Sequence, residues 1–591
     1  MASRNGFAVL LKNGIVSAGN RRIGYRVQHI NSSIFKKAGL YLLAFSLTLG
    51  ILFNPSTAAA ATFTNPFIYA DAPDNDVIRV GNVYYMTSTT MHMTPGVPIM
   101  KSYDLVNWEI VNYVYDTYAN GDAQNLNNGQ NEYGKGSWAS SIRYNNGIYY
   151  VSFGSNSTGR TYIYQTSNIE NGPWTSSVLG SYYHDASLLF DNGRVFLVYG
   201  VDNISLIELT ADAKAIKSGG ISQVIIPNSS NIAGSNFIVK AEGAHIQKIN
   251  GYYYVFLICW PSGSGRTQLT YRSTSLTGGY TGQVSLNDSG IAQGGIVDTP
   301  SGSWYAMLFR DSGAVGRMPY LVPVTWTGNW PVFGSGGKAP RTLNLPVEGY
   351  PVKKVYASDE FSSSSAIAAT VPDDVYAYLA VPDTVIDQTY SAAEEETFAG
   401  AISAGTGLAK VWQWNHNPDN TKWSLSQRPG FLRLTTGKVS TSLLNARNTL
   451  TQRTFGPKST GVTALETGGM KDGDVAGLAA FQAKYGFVGV KMSGNSKSIV
   501  MVNASSGSMT QVANVPLSQN RVYLKVLCDF TNQTDKAYFS YSLDGNNWTS
   551  IGNTLQMSYT MPHFMGYRFA LFNYATKSAG GYTDFDYLRL E

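Results

Sequence analysis

Apolar and polar residues alternate along this chain in short bursts, cut by Gly-containing turns, and no stretch carries the three-and-four spacing of a long amphipathic helix. One pattern recurs: a Gly turn followed by an aromatic or β-branched strand. It appears as Val80-Gly81-Asn82-Val83-Tyr84-Tyr85-Met86, Asn146-Gly147-Ile148-Tyr149-Tyr150-Val151, Asn192-Gly193-Arg194-Val195-Phe196-Leu197-Val198, Asn250-Gly251-Tyr252-Tyr253-Tyr254-Val255 and Ser301-Gly302-Ser303-Trp304-Tyr305-Ala306. The five turn glycines are 66, 46, 58 and 51 residues apart, about the length of one four-stranded propeller blade with its loops. The repeat predicts a five-bladed β-propeller over residues 62–350, with Arg317 to Trp326 completing the ring.

In such a ring the innermost strand of each blade lines the central axis, so residues just ahead of those strands collect on one rim. Counting back seven to nine residues from each turn glycine gives Asp74, Trp138, Asp185, Glu242 and Gln293. Three carboxylates, an indole and an amide are thus predicted to share one mouth.

After residue 350 the pattern changes. Residues 351–410 read as a linker or insertion, with a serine run and the acidic triplet Glu394-Glu395-Glu396. From Val411 to Glu591 short alternating strands resume, among them Gly430–Leu434, Val488–Met492, Val522–Phe530, Lys536–Tyr541 and Phe569–Tyr574. Even spacing without helical period predicts a two-sheet β-sandwich, so the whole mature chain is expected to be all-β.

Composition sharpens this picture mainly at the N-terminus. Residues 1–61 hold seven Lys or Arg and no acid, and Lys36-Lys37 precede an apolar run, Ala38 to Phe53, that ends in the small-residue tract Ala58 to Ala61. That order of segments predicts a cleaved secretion signal. Its sixteen-residue run is short of the roughly 20 residues needed to span a membrane, so a secreted protein without a stable membrane span is expected. The remainder carries 36 basic and 38 acidic residues and no basic stripe, which argues against a nucleic-acid partner. Cys259 and Cys528 lie in separate apolar strands and are expected as two buried thiols, with neither disulfide nor metal-site spacing.

Three acids at equivalent blade positions call for a reason, because their mutual repulsion costs stability. Glycoside hydrolysis supplies one: a carboxylate activates water, a protonated carboxyl gives its proton to the leaving oxygen, and a further negative charge nearby raises the donor's pKa. A Gly-x-Ser-x-Gly elbow and a phosphate-cradling loop are both absent from the sequence.

Pro73-Asp74-Asn75-Asp76-Val77-Ile78-Arg79-Val80-Gly81, His184-Asp185-Ala186-Ser187-Leu188, Glu242-Gly243-Ala244-His245 and Gln293-Gly294-Gly295-Ile296-Val297-Asp298-Thr299-Pro300 resemble the sequence blocks of glycoside hydrolase family 43. Trp412 to Pro418 and Trp423 to Gly430 resemble the start of the concanavalin-like jelly roll that follows the propeller in its xylosidase-type members. The resemblance implies an inverting enzyme with Asp74 as general base, Glu242 as general acid and Asp185 orienting Glu242 and raising its pKa. Alternation leaves open whether Asp74 or Asp76 faces the axis; the resemblance favours Asp74. It also implies that Arg317 contacts substrate hydroxyls or the base. Trp138 is expected as a wall for a sugar face, His92 beside Met93 as a lining residue of the same pocket, and His245 as a holder of the backbone beside Glu242. Gln293 stands where many members have a His near the axis, sometimes beside calcium. No metal or other cofactor is therefore expected here, and any calcium would be structural.

The implied function is exo-acting release of xylose from the non-reducing ends of xylo-oligosaccharides or xylan. The alternative is an α-L-arabinofuranosidase on arabinoxylan, or one pocket serving both pentoses. A more distant alternative, a non-catalytic carbohydrate-binding protein, would be marked by loss of one of the three acids, and all three are present.

Overall fold

In the computed structural model, residues 61–362 and 407–591 are described. The export segment and most of the 351–410 linker lie outside them. Among the described residues the regular elements are strands and short 3-10 turns, and no helix is long and apolar enough to cross a membrane.

Five four-stranded antiparallel sheets follow one another along the chain, their first strands being Asp76–Val80, Ser137–Asn145, Ser187–Asp191, Phe237–Ile249 and Ile296–Asp298. Each first strand is joined to its second by one of the Gly turns read from the sequence. Asn146-Gly147, Asn192-Gly193 and Asn250-Gly251 have both residues at positive φ, the geometry that lets a two-residue turn follow the right-handed twist of its strands. Arg317–Thr327 is the third strand of the fifth blade, and Trp330–Phe333 the fourth. The ring is closed beyond them, where Thr62–Thr64 pairs with Thr342–Asn344. Asn65 clamps the closure, its Nδ2 donating to the carbonyls of Leu321 (2.8 Å) and Pro340 (3.0 Å) while Oδ1 accepts from the Leu321 amide.

The C-terminal half is a sandwich of two antiparallel sheets. Arg521–Asp529 shows its logic: Val522, Leu524, Val526 and Cys528 are buried while the residues between them are partly exposed, the period of a strand with one face inward. These side chains meet Leu478, Phe569 and Leu571 of the opposite sheet in one core. Each large apolar group so enclosed contributes roughly 1.5–3 kcal/mol. Cys259 and Cys528 are free and buried.

Propeller and sandwich are stitched together through the backbone. Met93–Thr94, from the first blade, is the edge strand of the eight-stranded sandwich sheet, with Thr94 opposite Trp414 and Met93 opposite Asn415. The His416 amide donates to the His92 carbonyl (3.1 Å), Thr94 Oγ1 to the His416 carbonyl (2.7 Å), and Gln413 Nε2 to the Pro95 carbonyl (2.8 Å).

Candidate active site

The rim residues sit where the backbone leaves regular geometry. Asp74, Asp185 and Gln293, just ahead of the first strands of blades one, three and five, all have positive φ (52°, 45° and 62°). Glu242 lies inside the long strand Phe237–Ile249, but at a point where the register with Tyr252–Pro261 shifts on both sides of it. The next residue, Gly243, has φ 67°, and a Cβ there would lie 3.0 Å from the Gln293 side chain. Trp138 falls in a similar irregularity between Ser137 and Ser140. Bulges and left-handed residues re-aim side chains at the cost of local strain, and such strain gathers at functional sites.

Asp74 is 5% exposed and fully engaged. Arg317 Nη1 donates to both of its carboxylate oxygens (2.8 and 3.0 Å), and Thr89 Oγ1 donates to Oδ2 (2.7 Å). The guanidinium is stacked between Phe309 and Phe564, 5.4 and 4.5 Å from the ring centres, while its Nε and Nη2 are buried with no protein partner. Burial works against its charge, yet Asp74 and the neighbouring acids raise its pKa overall. Tyr559 also reaches this region; its hydroxyl is unpartnered and, through burial, hard to ionise. Phe564 and Tyr559 belong to the sandwich, so the second domain supplies part of the wall.

The other two acids share a histidine. His184 Nε2 lies 3.0 Å from Glu242 Oε2 and 3.5 Å from Asp185 Oδ2, and its Nδ1 meets the Tyr182 hydroxyl at 2.9 Å. Burial disfavours the imidazolium, but the carboxylates of Asp185 and Glu242 overcome it and push its pKa up to about 9. Asp185 is pushed up to about 7, first by burial and then by repulsion from Glu242 and Asp74, against the pull of His184. Glu242 is the most open of the three acids, its side chain 23% exposed. Asp74, Asp185 and Glu242 therefore sense one another through one enclosure, and near neutral pH that enclosure retains a proton. Trp138 is half-buried and packs on both His184 (5.8 Å) and Phe564 (5.7 Å), joining the acid end to the base end.

Asp76 is placed elsewhere. It is buried beneath the rim in a second charged network, where its carboxylate receives Arg143 Nη1 (2.6 Å) and the Ile142 amide (2.9 Å), with His245 Nδ1 at 3.2 Å. Burial alone would raise its pKa, but Arg143 and His245 hold it low. Arg143 Nη2 continues to Ser187 Oγ (2.7 Å) and the Ile246 carbonyl (3.1 Å), so one guanidinium ties the first strands of blades one, two, three and four. His184, Asp185 and Glu242 form the one cluster among the described residues with donor atoms close enough for an ion, all within 4.8 Å of one another.

His245, expected to hold the backbone beside Glu242, is buried with its Nδ1 against Asp76 instead. His92, expected to line the pocket, is 0% exposed and packs against His416, His563 and Tyr133. His92 occupies a turn, with Met91 and Met93 on either side packed with Trp138 and Phe564. Gln293 is buried beside Gly243, its amide N–H donating to Gln268 Oε1 (2.7 Å). The sequence reading missed His184, Tyr182, Thr89, Tyr559 and Phe564. His184 had a signal, adjacency to Asp185 in a quoted motif; Phe564 had none, since it arrives from the other domain.

Comparison with known proteins agrees with this architecture. Residues 63–331 match the model of glycosyl hydrolases family 43, and residues 404–591 match that of the beta xylosidase C-terminal concanavalin A-like domain. A beta-xylosidase of Formosa agariphila is 28% identical, over 89% of this chain and 90% of its own length. A non-reducing end α-L-arabinofuranosidase of Bacteroides ovatus is 25% identical, over 66% and 68%. Among solved structures, a bifunctional GH43-CE protein of Bacteroides eggerthii is 51% identical with a TM-score of 0.81; the alignment covers 90% of this chain, which spans only 64% of that longer one. With both domains matched, in this order, around a mouth of three carboxylates, the chain belongs to glycoside hydrolase family 43.

Proposed function

We propose that this chain is an exo-acting, inverting glycosidase that releases xylose from the non-reducing ends of xylo-oligosaccharides or xylan. The observation that carries the reading is the division of labour among the acids. Asp74 is ion-paired with Arg317, whereas Asp185 and Glu242 share His184, and burial with the neighbouring acids favours a proton on Asp185.

The chemistry follows from these positions. Water loses a proton to Asp74 as its oxygen bonds to the anomeric carbon, and the glycosidic C–O bond breaks. The leaving oxygen takes a proton from Glu242, the most open acid. Asp185 is joined to Glu242 through His184, which lies against both carboxylates. Trp138 and Phe564 pack together as an apolar wall on one side of the site.

Arabinofuranosidase activity is the second reading; the Bacteroides ovatus relative bears that name, at lower identity and coverage than the beta-xylosidase. Turnover of nitrophenyl β-xyloside against nitrophenyl α-L-arabinofuranoside separates the two. Proton NMR of the first-formed anomer tests inversion, and a retained configuration overturns it. We also propose export, on the strength of the leader; sequencing the N-terminus of protein from the culture medium tests it.

A further inference from the structure

Away from the active site, and sharing no residue with it, a cavity of about 140 Å³ lies between the sandwich and the propeller loop around Asn127. It opens beside a wider cleft of about 450 Å³ along residues 126–129 and 438–441, the two spaces having Asn127, Lys438 and Ser440 in common.

The charge of its lining is out of balance. Lys422, Lys438 and Arg447 face a single acid, Asp419, and none of the three cations makes an ion pair among the described residues. Asp419 Oδ1 is already taken by the amide (3.0 Å) and hydroxyl (2.7 Å) of Thr421. Arg447 is fixed in place, with Nε on the Asn417 carbonyl (2.9 Å) and Nη2 on Asn125 Oδ1 and the Pro418 carbonyl (both 3.1 Å). Lys438 is steadied by the Leu126 carbonyl. Burial works against the charge of both Lys438 and Arg447; Asp419 offsets part of it at Arg447, whereas Lys438 meets only the further opposition of Arg447.

A second observation points to a ligand. Asn573 lines the same cavity, is 4% exposed, and spends its Nδ2 on the Leu434 carbonyl (2.8 Å), but its Oδ1 is buried without a partner. A buried acceptor of this kind is costly unless something donates to it. The cavity thus asks for an anion and a hydrogen-bond donor on one small body. Sulfate offers the charge but no donor, and a neutral pentose offers donors but no charge.

We infer that this junction cavity binds a sugar carboxylate, a hexuronate, either free or as a side group of a polysaccharide whose backbone continues into the wider cleft. The carboxylate meets Lys438, Arg447 and Lys422, and a ring hydroxyl donates to Asn573 Oδ1. Binding here is separate from hydrolysis and does not depend on which pentoside is cleaved.

The test is calorimetric titration of the full chain with D-glucuronate, its uncharged isostere D-glucuronamide, and sulfate. Glucuronate is expected to bind, with the amide and sulfate at least about tenfold weaker. Lys438→Met and Lys422→Gln are each expected to weaken glucuronate about tenfold while nitrophenyl pentoside turnover stays at the wild-type rate, which also reports correct folding. A glucuronate-substituted xylo-oligosaccharide binding more tightly than the free acid assigns the site to a polysaccharide side group; equal affinity assigns it to the free acid. No heat with glucuronate up to about 10 mM, equal binding of the amide or sulfate, or unaltered affinity in both variants overturns the proposal.

Discussion

Arg317 meets Asp74 through one nitrogen only: Nη1 reaches both carboxylate oxygens, at 2.8 and 3.0 Å, and leaves Nε and Nη2 unpartnered in a buried, aromatic-walled space. The base is anchored by one corner of the guanidinium while the other donors stay available to sugar hydroxyls. Arg317→Met strands Asp74 as an unpaired buried charge, and such a loss costs about 3–5 kcal/mol. Chemical denaturation is expected to show a drop of that order. Arg317→Lys, which keeps charge but not the fork, is expected to recover most of the stability while KM stays raised. Equal stability of wild type and Arg317→Met refutes the anchoring role.

Acid and base differ in their sensitivity to the leaving group. Glu242→Gln is expected to lower kcat by about 10²–10⁴ on alkyl glycosides and far less on nitrophenyl glycosides, whose leaving oxygen needs no proton. Asp74→Asn is expected to remove turnover of both. A common loss across leaving groups in Glu242→Gln contradicts its assignment as the acid.

His184 bears on the pH profile. Its positive charge pulls the Asp185 pKa down, against burial and the two other acids, to about 7. Removing that charge in His184→Phe lets Asp185 hold its proton to higher pH. The basic limb of kcat/KM is therefore expected to move upward, and Asp185→Asn, which removes this titrating group, is expected to move it as well. Both shifts are read from kcat/KM between about pH 5 and 9; a limb that stays put in both variants rules out the shared proton.

Acid stability turns on a different group. His92, His416 and His563 pack with Tyr133 where propeller meets sandwich, and five of their six ring nitrogens have no partner. Burial pushes all three pKa values down, that of His563 to about 3. The unfolded chain takes up protons on these rings below about pH 6.5 and the folded one does not. Stability is therefore expected to be indifferent to them above that pH and to fall below it, by about 1–2 kcal/mol for each ring by pH 5. Urea midpoints at pH 7 and 5 measure the effect, and His563→Phe is expected to reduce the difference.

The propeller was legible because its repeat is chemically forced: a two-residue turn needs positive φ, and Asn-Gly supplies it at Asn146, Asn192 and Asn250. The three acids followed from that register. Asp74 and Asp76 could not be separated by a period of two, since both fall on the same parity; partners across the ring, Arg317 for one and Arg143 with His245 for the other, separate them. His92 escaped the same reading because it lies in a turn, where parity does not hold, and its ring packs among His416, His563 and Tyr133. Phe564 and Tyr559 were invisible because their role exists only once the sandwich docks, and nothing local in the chain announces a contact made across a domain boundary.

The two-residue strand Met93–Thr94 makes this docking more than an adjacency. A sheet that borrows its last strand from its neighbour has a raw edge when that neighbour is taken away. Cutting the gene between the halves would expose unpaired amides on one fragment and strip the aromatic lid from the other, so the catalytic ring of this chain and its companion are to be engineered and transplanted as one piece.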